Sequence, residues 1–327
     1  MSPPLRWGLL GTAHVNRRVI PAMRAARRST LAAIASRDGK RAADYAREWS
    51  IPVPHGSYEA LLRDRAVDAV YIPLPNALHV EWTLRALDAG KHVLCEKPLA
   101  LTAEDVARVE AVARARALVV AEAFMYRHEP LIARAAELVR GGEVGAIISM
   151  SAGFTYLQTR SPDVRLAAAL GGGSLWDVGC YGVSVVRLMA GAEPRAVMGC
   201  AAMTPAGVDE SFTGLLQFDD GAIATVHSSF RTPYRTWLEV VGGRGVLTVA
   251  NPFRPAQSDA IEIHRNDDVR RETVEGSPVL FVRQIDDFVA AVLDGRAPAV
   301  SLEDSRGNAA ALAALSESAR FGRAVTL

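Results

Sequence analysis

The first third of the chain alternates between short apolar runs and longer amphipathic stretches, and this pattern constrains the fold more than any other feature. Apolar runs of strand length lie at residues 6–10, 30–36, 67–73, 92–95 and 118–121. Stretches with helical spacing lie between them at residues 17–26, 40–48, 79–89 and 103–115. Strands that alternate with helices in this way indicate βαβ units. The pattern predicts an α/β domain of the Rossmann type with a parallel sheet.

After about residue 123 the pattern changes to consecutive short runs rich in β-formers. These runs lie at residues 147–156, 196–203, 212–218, 222–230, 236–241, 245–249 and 261–264. Turn sequences such as Asp219-Asp220-Gly221 separate them, which favours an antiparallel sheet built from hairpins. Residues 281–293 and 305–319 have the spacing of closing helices. We therefore predict an α+β domain with a large open, mostly antiparallel sheet.

Length and composition indicate a two-domain enzyme rather than a nucleic-acid or membrane protein. A chain of 327 residues exceeds one comfortable core, so we predict a dinucleotide-binding domain at 1–122 and a substrate-binding and oligomerisation domain at 123–327. The formal net charge of +1 leaves no basic footprint for nucleic acid or an anionic membrane. Neither a secretion signal nor a membrane span is recognisable, and the three scattered cysteines predict no disulfide framework or zinc cluster. These features predict a cytoplasmic protein with no bound metal.

The turn after the first apolar run is a candidate phosphate-binding loop. It comprises Gly11, Thr12, Ala13 and His14, between the first predicted strand and the first predicted helix. Only the first glycine of a Gly-x-Gly-x-x-Gly fingerprint is kept, because Ala13 and Asn16 replace the other two. Alanine is still small enough for a pyrophosphate to approach the helix N-terminus. The position predicts a dinucleotide cofactor, whereas the motif alone would also suit an ordinary strand-to-helix turn.

The end of the second predicted strand indicates which dinucleotide is bound. An acidic residue usually meets the ribose 2′-hydroxyl of NAD at this point. Here Ser36 and Arg37 occupy the strand end, and Arg41 follows closely. A hydroxyl and a guanidinium suit a 2′-phosphate, although Asp38 opposes this interpretation. We predict NADP(H) in preference to NAD(H).

Two further strand ends carry candidate site residues. Leu74, Pro75 and Asn76 follow the third predicted strand, where the cofactor would pass, and His79 is either a cofactor contact or only the start of a helix. Cys95-Glu96-Lys97-Pro98 follows the fourth. Because a residue before proline disfavours helix, Lys97 should end a buried strand with its ammonium aimed out of the sheet. The carboxyl ends of parallel strands are where ligands bind, so Lys97 is a candidate catalytic residue. Lys97 and Glu96 are also candidate cofactor contacts, although Glu96 could instead only shape the strand end.

A glycine-rich segment in the second half carries another candidate constellation. It comprises Gly171-Gly172-Gly173, Ser174, Asp177 and Tyr181. The spacing of Ser174 and Asp177 predicts a helix N-cap with a capping box. Capping explains neither the glycines nor Tyr181, which lies four residues after Asp177 and on the same helix face. The phenol could exchange a proton with a substrate hydroxyl, so both residues are catalytic candidates.

Taken together, these motifs resemble the Gfo/Idh/MocA oxidoreductase family over nearly the whole chain. The resemblance rests on Gly11-Thr12-Ala13, on Glu96-Lys97-Pro98 and on the glycine triplet with Asp177 and Tyr181. Further similar segments are 71–79, 123–127 and 234–236. The subgroup it most resembles contains D-xylose dehydrogenases, dimeric dihydrodiol dehydrogenases and sugar ketoreductases.

The resemblance implies an N-terminal Rossmann domain, a C-terminal domain with an open sheet, and homodimers or homotetramers formed through that sheet. It implies that Lys97 matches the essential lysine of the family and that Asp177 holds the substrate or the lysine. Tyr181 stands where many members have histidine, and Ser36-Arg37 resembles the NADP-using branch. Arg165 matches an arginine of the subgroup, and Tyr156 and Arg235 are further candidate substrate contacts.

We therefore predict an NADP-dependent oxidoreductase that transfers a hydride between nicotinamide and a carbinol or carbonyl carbon of a sugar or polyol-like molecule. A nucleotide-linked keto-sugar reductase is the first alternative, and it would need converging basic residues such as Arg160, Arg165, Arg231 and Arg235. An NADP-binding sensor without catalysis is the second.

Overall fold

The computed structural model describes residues 3–327, which form two compact units. The first comprises residues up to His128 together with Val279–Arg306, and the second comprises Glu129–Pro278 and Gly307–Leu327. We predicted one boundary at residue 123, whereas the contacts divide the chain at three points. The reason is that the helix Val282–Asp294 packs with the first unit. Its Phe288 lies against Trp7, with ring centroids 5.0 Å apart. The boundary of independently folding domains stays a prediction.

The first unit contains the predicted parallel sheet. Its strands are β1 (Leu5–Leu10), β2 (Ser29–Ala35), β3 (Val53–His55), β4 (Ala69–Ile72), β5 (His92–Cys95) and β6 (Val120–Glu122). Its helices are α1 (Asn16–Ala25), α2 (Gly39–Glu48), α3 (Tyr58–Leu62), α4 (His79–Asp88) and α5 (Ala103–Ala115), with the later helix α8 (Val282–Asp294). The strand order is β3-β2-β1-β4-β5-β6, and every neighbouring pair is parallel.

This strand order places a topological switch between β1 and β4. The chain leaves β1 toward one side of the sheet and β4 toward the other, so a crevice opens at their carboxyl ends. The turn that begins at Gly11 and the loop that begins at Leu74 both lie at this edge. The residues predicted to bind a dinucleotide therefore follow the strands that flank the crevice.

The second unit is a mostly antiparallel sheet. Its strands are β7 (Ile147–Leu157), β8 (Ala196–Met203), β9 (Asp209–Gln217), β10 (Ile223–Ser229), β11 (Arg231–Gly242), β12 (Gly245–Val249), β13 (Ser258–Arg265), β14 (Asp268–Glu275) and β15 (Val325–Thr326). Its helices are α6 (Pro130–Arg140), α7 (Cys180–Ala190) and most of α9 (Leu302–Phe321). The order is β14-β13-β12-β11-β7-β10-β9-β8-β15, and the pairing of β7 with β10 is parallel while the others are antiparallel. The predicted fold class is confirmed.

One face of the sheet in the second unit is covered, whereas the other is open. On the covered face, Val226 of β10 packs against α7 at Gly182, and Leu315 of α9 packs against β9 at Gly214. Alternate residues of the same strands point the opposite way, as the pleat of a strand requires. Met198 and Leu215 are two of these, and both are more than 40% exposed.

Most predicted elements are confirmed with ends within a few residues, but several elements gave no clear signal. The strand β3 is only three residues long, and β14 lies at the sheet edge with most of its side chains exposed, so neither shows an apolar period. The helix α6 was overlooked although Pro130 stands at its first turn, where proline is favoured. Within residues 3–327, no helix has both the length and the apolar character needed to cross a bilayer.

Candidate active site

The turn after β1 has the geometry of a phosphate-binding loop despite its incomplete fingerprint. Gly11 adopts a φ of +108°, which a side chain would disfavour. The Asn16 side chain, at the third fingerprint position, is buried and donates from Nδ2 to the Gly11 carbonyl oxygen at 2.9 Å. No side chain caps the N-terminus of α1, and its first turn contains no acidic residue. Backbone N–H groups at this end are therefore suited to an anionic group, and Thr12, Ala13 and His14 are at least partly exposed there.

The end of β2 is followed by Ser36, Arg37 and Asp38, and the last of these caps a helix. Asp38 caps α2, because its Oδ1 accepts the backbone N–H groups of Lys40 at 2.9 Å and Arg41 at 3.2 Å. One oxygen of its carboxylate is thus engaged by the helix start, where a negative charge complements the helix dipole. The Ser36 hydroxyl accepts the Asp38 N–H at 3.2 Å, and Arg37 is exposed.

Tyr58 joins these groups, although its position in the sequence did not point to the site. Its ring is buried edge-on against Trp82, with centroids 4.9 Å apart. A Cβ built on Gly11 would lie 3.5 Å from its hydroxyl oxygen. Burial raises the pKa of Tyr58, while the positive charges of Arg37 and Arg41 lower it. The hydroxyl therefore lies between the glycine turn and the two arginines.

The loop after β4 is tied to the segment after β5 by His79. Leu74, Pro75 and Asn76 are partly exposed, whereas His79 is fully buried. Its Nδ1 lies 2.7 Å from the Pro98 carbonyl oxygen, and its Nε2 lies 2.8 Å from that of Leu74. Burial lowers the pKa of His79, and the nearby charge of Lys97 lowers it further. His79 therefore ties the two loops together, and its contact with the cofactor stays a prediction.

Lys97 is the second residue after β5, at the edge of the sheet that carries the Gly11 turn. Its side chain is partly exposed, as is that of Glu96. The Glu96 carboxylate accepts the Tyr71 hydroxyl, and its other oxygen lies 3.3 Å from the Lys97 N–H. The Leu99 N–H donates to the buried Glu122 at 2.9 Å. These bonds hold the backbone on both sides of Lys97, and the cofactor contact of Glu96 stays a prediction.

The glycine triplet of the second unit is required by close backbone packing, and Ser174 is not the predicted N-cap. Ser174 has helical dihedral angles and makes no capping bond, so the predicted capping box with Asp177 is wrong. Residues Leu175–Gly179 form a π-helical turn that continues into α7. A Cβ on Gly172 would lie 2.5 Å from the Arg165 carbonyl oxygen. Substitution there would push the segment away from the loop that carries Arg165.

Asp177 is the centre of a hydrogen-bonded cluster that spacing alone did not reveal. Its Oδ2 accepts the Tyr156 hydroxyl at 2.7 Å and the Arg165 Nε at 3.0 Å. Arg165 also contacts Asp163, and the negative charge of Asp177 is the main cause that raises the pKa of Arg165. Three of the predicted residues, Tyr156, Arg165 and Asp177, are thus in contact. The carboxylate of Asp177 neutralises the charge of Arg165 in this cluster.

Tyr181 lies in an aromatic cluster with Phe154 and Phe253. Its ring centroid is 5.5 Å from that of Phe154 and 5.3 Å from that of Phe253, which fixes the plane of the phenol. Phe253 is fully buried and stacks on Phe154 at 5.8 Å. Phe253 comes from the loop after β12, about 70 residues away in sequence, so no local motif could have linked it to the site.

Arg235 is not brought to this cluster. It pairs with Thr155 across β11 and β7, and its guanidinium lies 4.7 Å from the ring centroid of Trp237. Thr155 and Tyr156 are neighbours on one strand, so their side chains point to opposite faces of the sheet. Arg235 therefore lies on the open face, whereas Tyr156 and Asp177 lie on the face covered by α7.

Comparison with known proteins identifies the family. A model described as "Oxidoreductase family, NAD-binding Rossmann fold" matches residues 5–124, and one described as "GFO/IDH/MocA C-terminal domain" matches residues 132–248. This chain belongs to the Gfo/Idh/MocA oxidoreductase family. The predicted family and the predicted enzyme class are confirmed. The two matches include Gly11, Lys97, Asp177 and Tyr181, so the residues discussed above lie within the family's domains.

Several characterised members resemble this family member over nearly their whole length. It is 42% identical to "D-xylose 1-dehydrogenase (NADP(+)) 2" of Haloferax volcanii, over 99% of this chain and 100% of that protein. The crystal structure of a 3-ketoreductase from Actinomadura kijaniata in complex with NADP and TDP-benzene superposes with a TM-score of 0.91 at 34% identity, covering 96% of this chain and 98% of the other. An aldose-aldose oxidoreductase from Caulobacter crescentus complexed with glycerol gives a TM-score of 0.90 at 29% identity, covering 99% and 100%.

Proposed function

We propose that this family member is an NADP(H)-dependent oxidoreductase that transfers a hydride between nicotinamide and a carbinol or carbonyl carbon of a sugar or polyol-like substrate. The observation that carries this function is the position of Lys97, two residues after β5 and at the same sheet edge as the Gly11 turn. An ammonium at the ligand-binding edge of a Rossmann sheet can hydrogen-bond a substrate oxygen. The relatives named above are a D-xylose 1-dehydrogenase, a 3-ketoreductase and an aldose-aldose oxidoreductase.

In the proposed mechanism, each residue acts on the oxygen of the reacting carbon or on its neighbours. When bound, the nicotinamide supplies or accepts the hydride. Lys97 donates a hydrogen bond to the substrate oxygen and stabilises the negative charge that develops on it. Tyr181 donates a proton to that oxygen in reduction and removes it in oxidation. Asp177, held by Tyr156 and Arg165, accepts a hydrogen bond from a substrate hydroxyl.

NADP(H) is the cofactor that the β2 strand end supports. Asp38 Oδ1 accepts two backbone N–H groups at the start of α2. Ser36 and Arg37 follow β2, where a 2′-phosphate would bind. Arg41 adds a second positive charge close to the Tyr58 hydroxyl. NADP is also the cofactor named for the Haloferax volcanii enzyme, and NADP is present in the Actinomadura kijaniata structure.

Replacing Arg37 with alanine should weaken NADPH binding selectively. Loss of charge-assisted hydrogen bonds to the 2′-phosphate should raise the Kd for NADPH about 10- to 100-fold, with little change for NADH. Titration of protein fluorescence with each nucleotide measures both constants without turnover. Arg47→Ala, at the far end of α2, removes the same charge from an exposed position and is the matched control. Equal losses for NADPH and NADH would contradict the role of Arg37.

A free sugar or polyol fits the described charges better than a nucleotide-linked sugar. A diphosphate would need arginines that are not already paired. Arg165 is paired with Asp177 and Asp163, and Arg231 is paired with Glu210 at 2.8 Å. Arg235 lies on the open face of the sheet. Thus three of the four arginines considered for the nucleotide-sugar alternative are neutralised or point elsewhere.

The decisive experiment is a panel of aldoses, polyols, keto-sugars and nucleotide-linked keto-sugars, with nicotinamide absorbance followed for NADP(H) and NAD(H) in parallel. We expect turnover of free sugars or polyols with NADP preferred. Turnover confined to nucleotide-linked sugars would support the ketoreductase alternative. Tight NADPH binding with no turnover of any substrate would support the sensor alternative and contradict the proposed chemistry.

We also propose a cytoplasmic homodimer or homotetramer formed through the open sheet face. Met198 and Leu215 lie directly opposite each other on β8 and β9, and Ile223 of the neighbouring β10 is also exposed on this face. Adjacent exposed apolar side chains are typical of an association surface. All three cysteines are free thiols, which suits a reducing compartment.

Leu215→Asp should dissociate the oligomer, because it would bury a charge at the centre of that surface. Light scattering coupled to gel filtration should show a monomer for Leu215→Asp and an oligomer for the wild type. Val53→Asp places the same charge on an exposed residue of β3 in the first unit and should leave the mass unchanged. An unchanged mass for Leu215→Asp would mean that this face is not the interface.

A further inference from the structure

A buried carboxylate that the proposed mechanism does not use lies beside the glycine-rich segment of the second unit. Asp209, the first residue of β9, is only 8% exposed. It is surrounded by Ser174, which is fully buried, and by Ser228, which is 1% exposed. Burial of a carboxylate is costly unless hydrogen bonds compensate for it, so the arrangement needs an explanation.

The hydrogen bonds of Asp209 converge on the start of a helical segment. Its Oδ2 accepts the Ser174 hydroxyl at 2.6 Å and the Leu175 N–H at 2.8 Å. Ser174 Oγ also lies 3.0 Å from Ser228 Oγ, which ties β10 into the same cluster. Burial raises the pKa of Asp209, while these hydrogen bonds lower it. Both of these bonds to Oδ2 come from the start of one helical segment.

The close approach of Asp209 to the start of this helical segment requires glycine at position 173, because any larger residue would clash with the carboxylate. A Cβ built on Gly173 would lie 2.1 Å from Asp209 Oδ1, and the glycine has a φ of +121°. The third glycine of the triplet is therefore required by the approach of Asp209. Spacing along the chain could not show this, because 35 residues separate Ser174 from Asp209.

Asp209 occupies the place that a local N-cap would normally take. Ser174 makes no capping bond, so the orphan N–H of Leu175 is satisfied from another strand. Its negative charge also complements the positive end of the helix dipole. The segment that starts here, Leu175–Gly179 followed by α7, contains both Asp177 and Tyr181. The Asp177 N–H donates to the Gly173 carbonyl oxygen at 3.0 Å. The first turn is therefore hydrogen-bonded directly to the glycine that Asp209 contacts.

We infer that Asp209 is a positioning residue that caps this helical segment from β9 and thereby holds Asp177 and Tyr181 in their productive places. This inference rests on the proposed function for the roles of Asp177 and Tyr181. Asp209 itself would not touch the substrate, since it is buried beneath the segment that it caps. It acts through the backbone of Ser174 and Leu175.

The test compares Asp209→Ala and Asp209→Asn with Glu210→Ala, a neighbouring acid whose only described role is a pair with Arg231. Asp209→Ala should lower kcat on the best substrate of the panel by about 10- to 100-fold, because the hydrogen bonds that fix the helix start are lost. KM should change less than kcat, and the Kd for NADPH should stay within about threefold of wild type, since the cofactor residues lie in the other unit. Asp209→Asn keeps one acceptor oxygen, so its kcat should be at least about threefold higher than that of Asp209→Ala. This difference corresponds to about one neutral hydrogen bond.

A measurement that needs no turnover separates failure of this inference from failure of the proposed function. Hydrogen–deuterium exchange of a peptide covering residues 171–181 should speed up in Asp209→Ala and less in Asp209→Asn, with peptides of the first unit unchanged. Wild-type kcat in both variants, or uniform exchange acceleration with loss of NADPH binding, would overturn the positioning role. If the wild type turns over nothing in the panel, the exchange pattern still decides whether Asp209 caps the segment.

Discussion

Replacing Lys97 with methionine is expected to lower kcat by about 10³-fold or more, because the donor that stabilises developing charge on the substrate oxygen would be lost. Methionine keeps much of the length of the side chain and removes only the charge and its hydrogen bonds. Lys97 is partly exposed, so the change should not disturb the core. Steady-state kinetics at saturating NADPH measure the loss. The Kd for NADPH, from fluorescence titration, should change by less than about tenfold because the phosphate contacts lie elsewhere.

Two further variants isolate the ammonium of Lys97 as the cause. Lys97→Arg keeps the charge but changes the donor geometry, so it should remain strongly impaired. Arg114→Met removes a positive charge from the exposed face of α5, where the Arg114 side chain is 80% exposed, and should behave as wild type. Full turnover in Lys97→Met would remove this lysine from the mechanism and leave only a strand-end role for it.

Replacing Tyr181 with phenylalanine is expected to lower kcat by about 10²–10⁴-fold if the phenol transfers the proton. The ring and its packing on Phe154 and Phe253 are kept, so a loss reports on the hydroxyl alone. The pH profile of kcat/KM should also lose the limb that belongs to this group. Profiles of wild type and variant over the same buffers make that comparison.

Tyr234→Phe and Tyr156→Phe distinguish the tyrosines of this region. Tyr234 is 47% exposed and lies 5.8 Å from Phe154, so losing its hydroxyl should have little effect. Tyr156 donates to Asp177, so Tyr156→Phe should raise KM more than it lowers kcat. An undiminished rate in Tyr181→Phe would transfer the proton-exchange role to Lys97 or to a water molecule.

Local sequence patterns were sufficient for much of the fold and for half of the candidate site. The strand-end positions of Gly11, Ser36 and Lys97 followed from hydrophobic runs and from the restriction that proline imposes on its neighbour. The segment Thr102–Asp105 has the spacing of a capping box, and the Thr102 hydroxyl accepts the Asp105 N–H at 3.1 Å. In each case the deciding interaction lies within a few residues of the motif.

The same local reasoning failed where a distant strand supplied the partner. Ser174 and Asp177 have capping-box spacing, yet Asp209 takes the cap and Asp177 turns to Tyr156 and Arg165. Arg235 was a substrate candidate, but the register of β11 on β7 sends it to the open face.

The sequence by itself determined the two kinds of sheet, the family, the position of the turn after β1 and that of the lysine after β5, because periodicity and strand ends are local properties of the chain. Only the tertiary structure decided which carboxylate caps which helix, which arginines are already neutralised and which face of the sheet each side chain occupies. Those outcomes depend on hydrogen bonds between residues tens of positions apart, and on strand register, where a shift of one residue reverses the face.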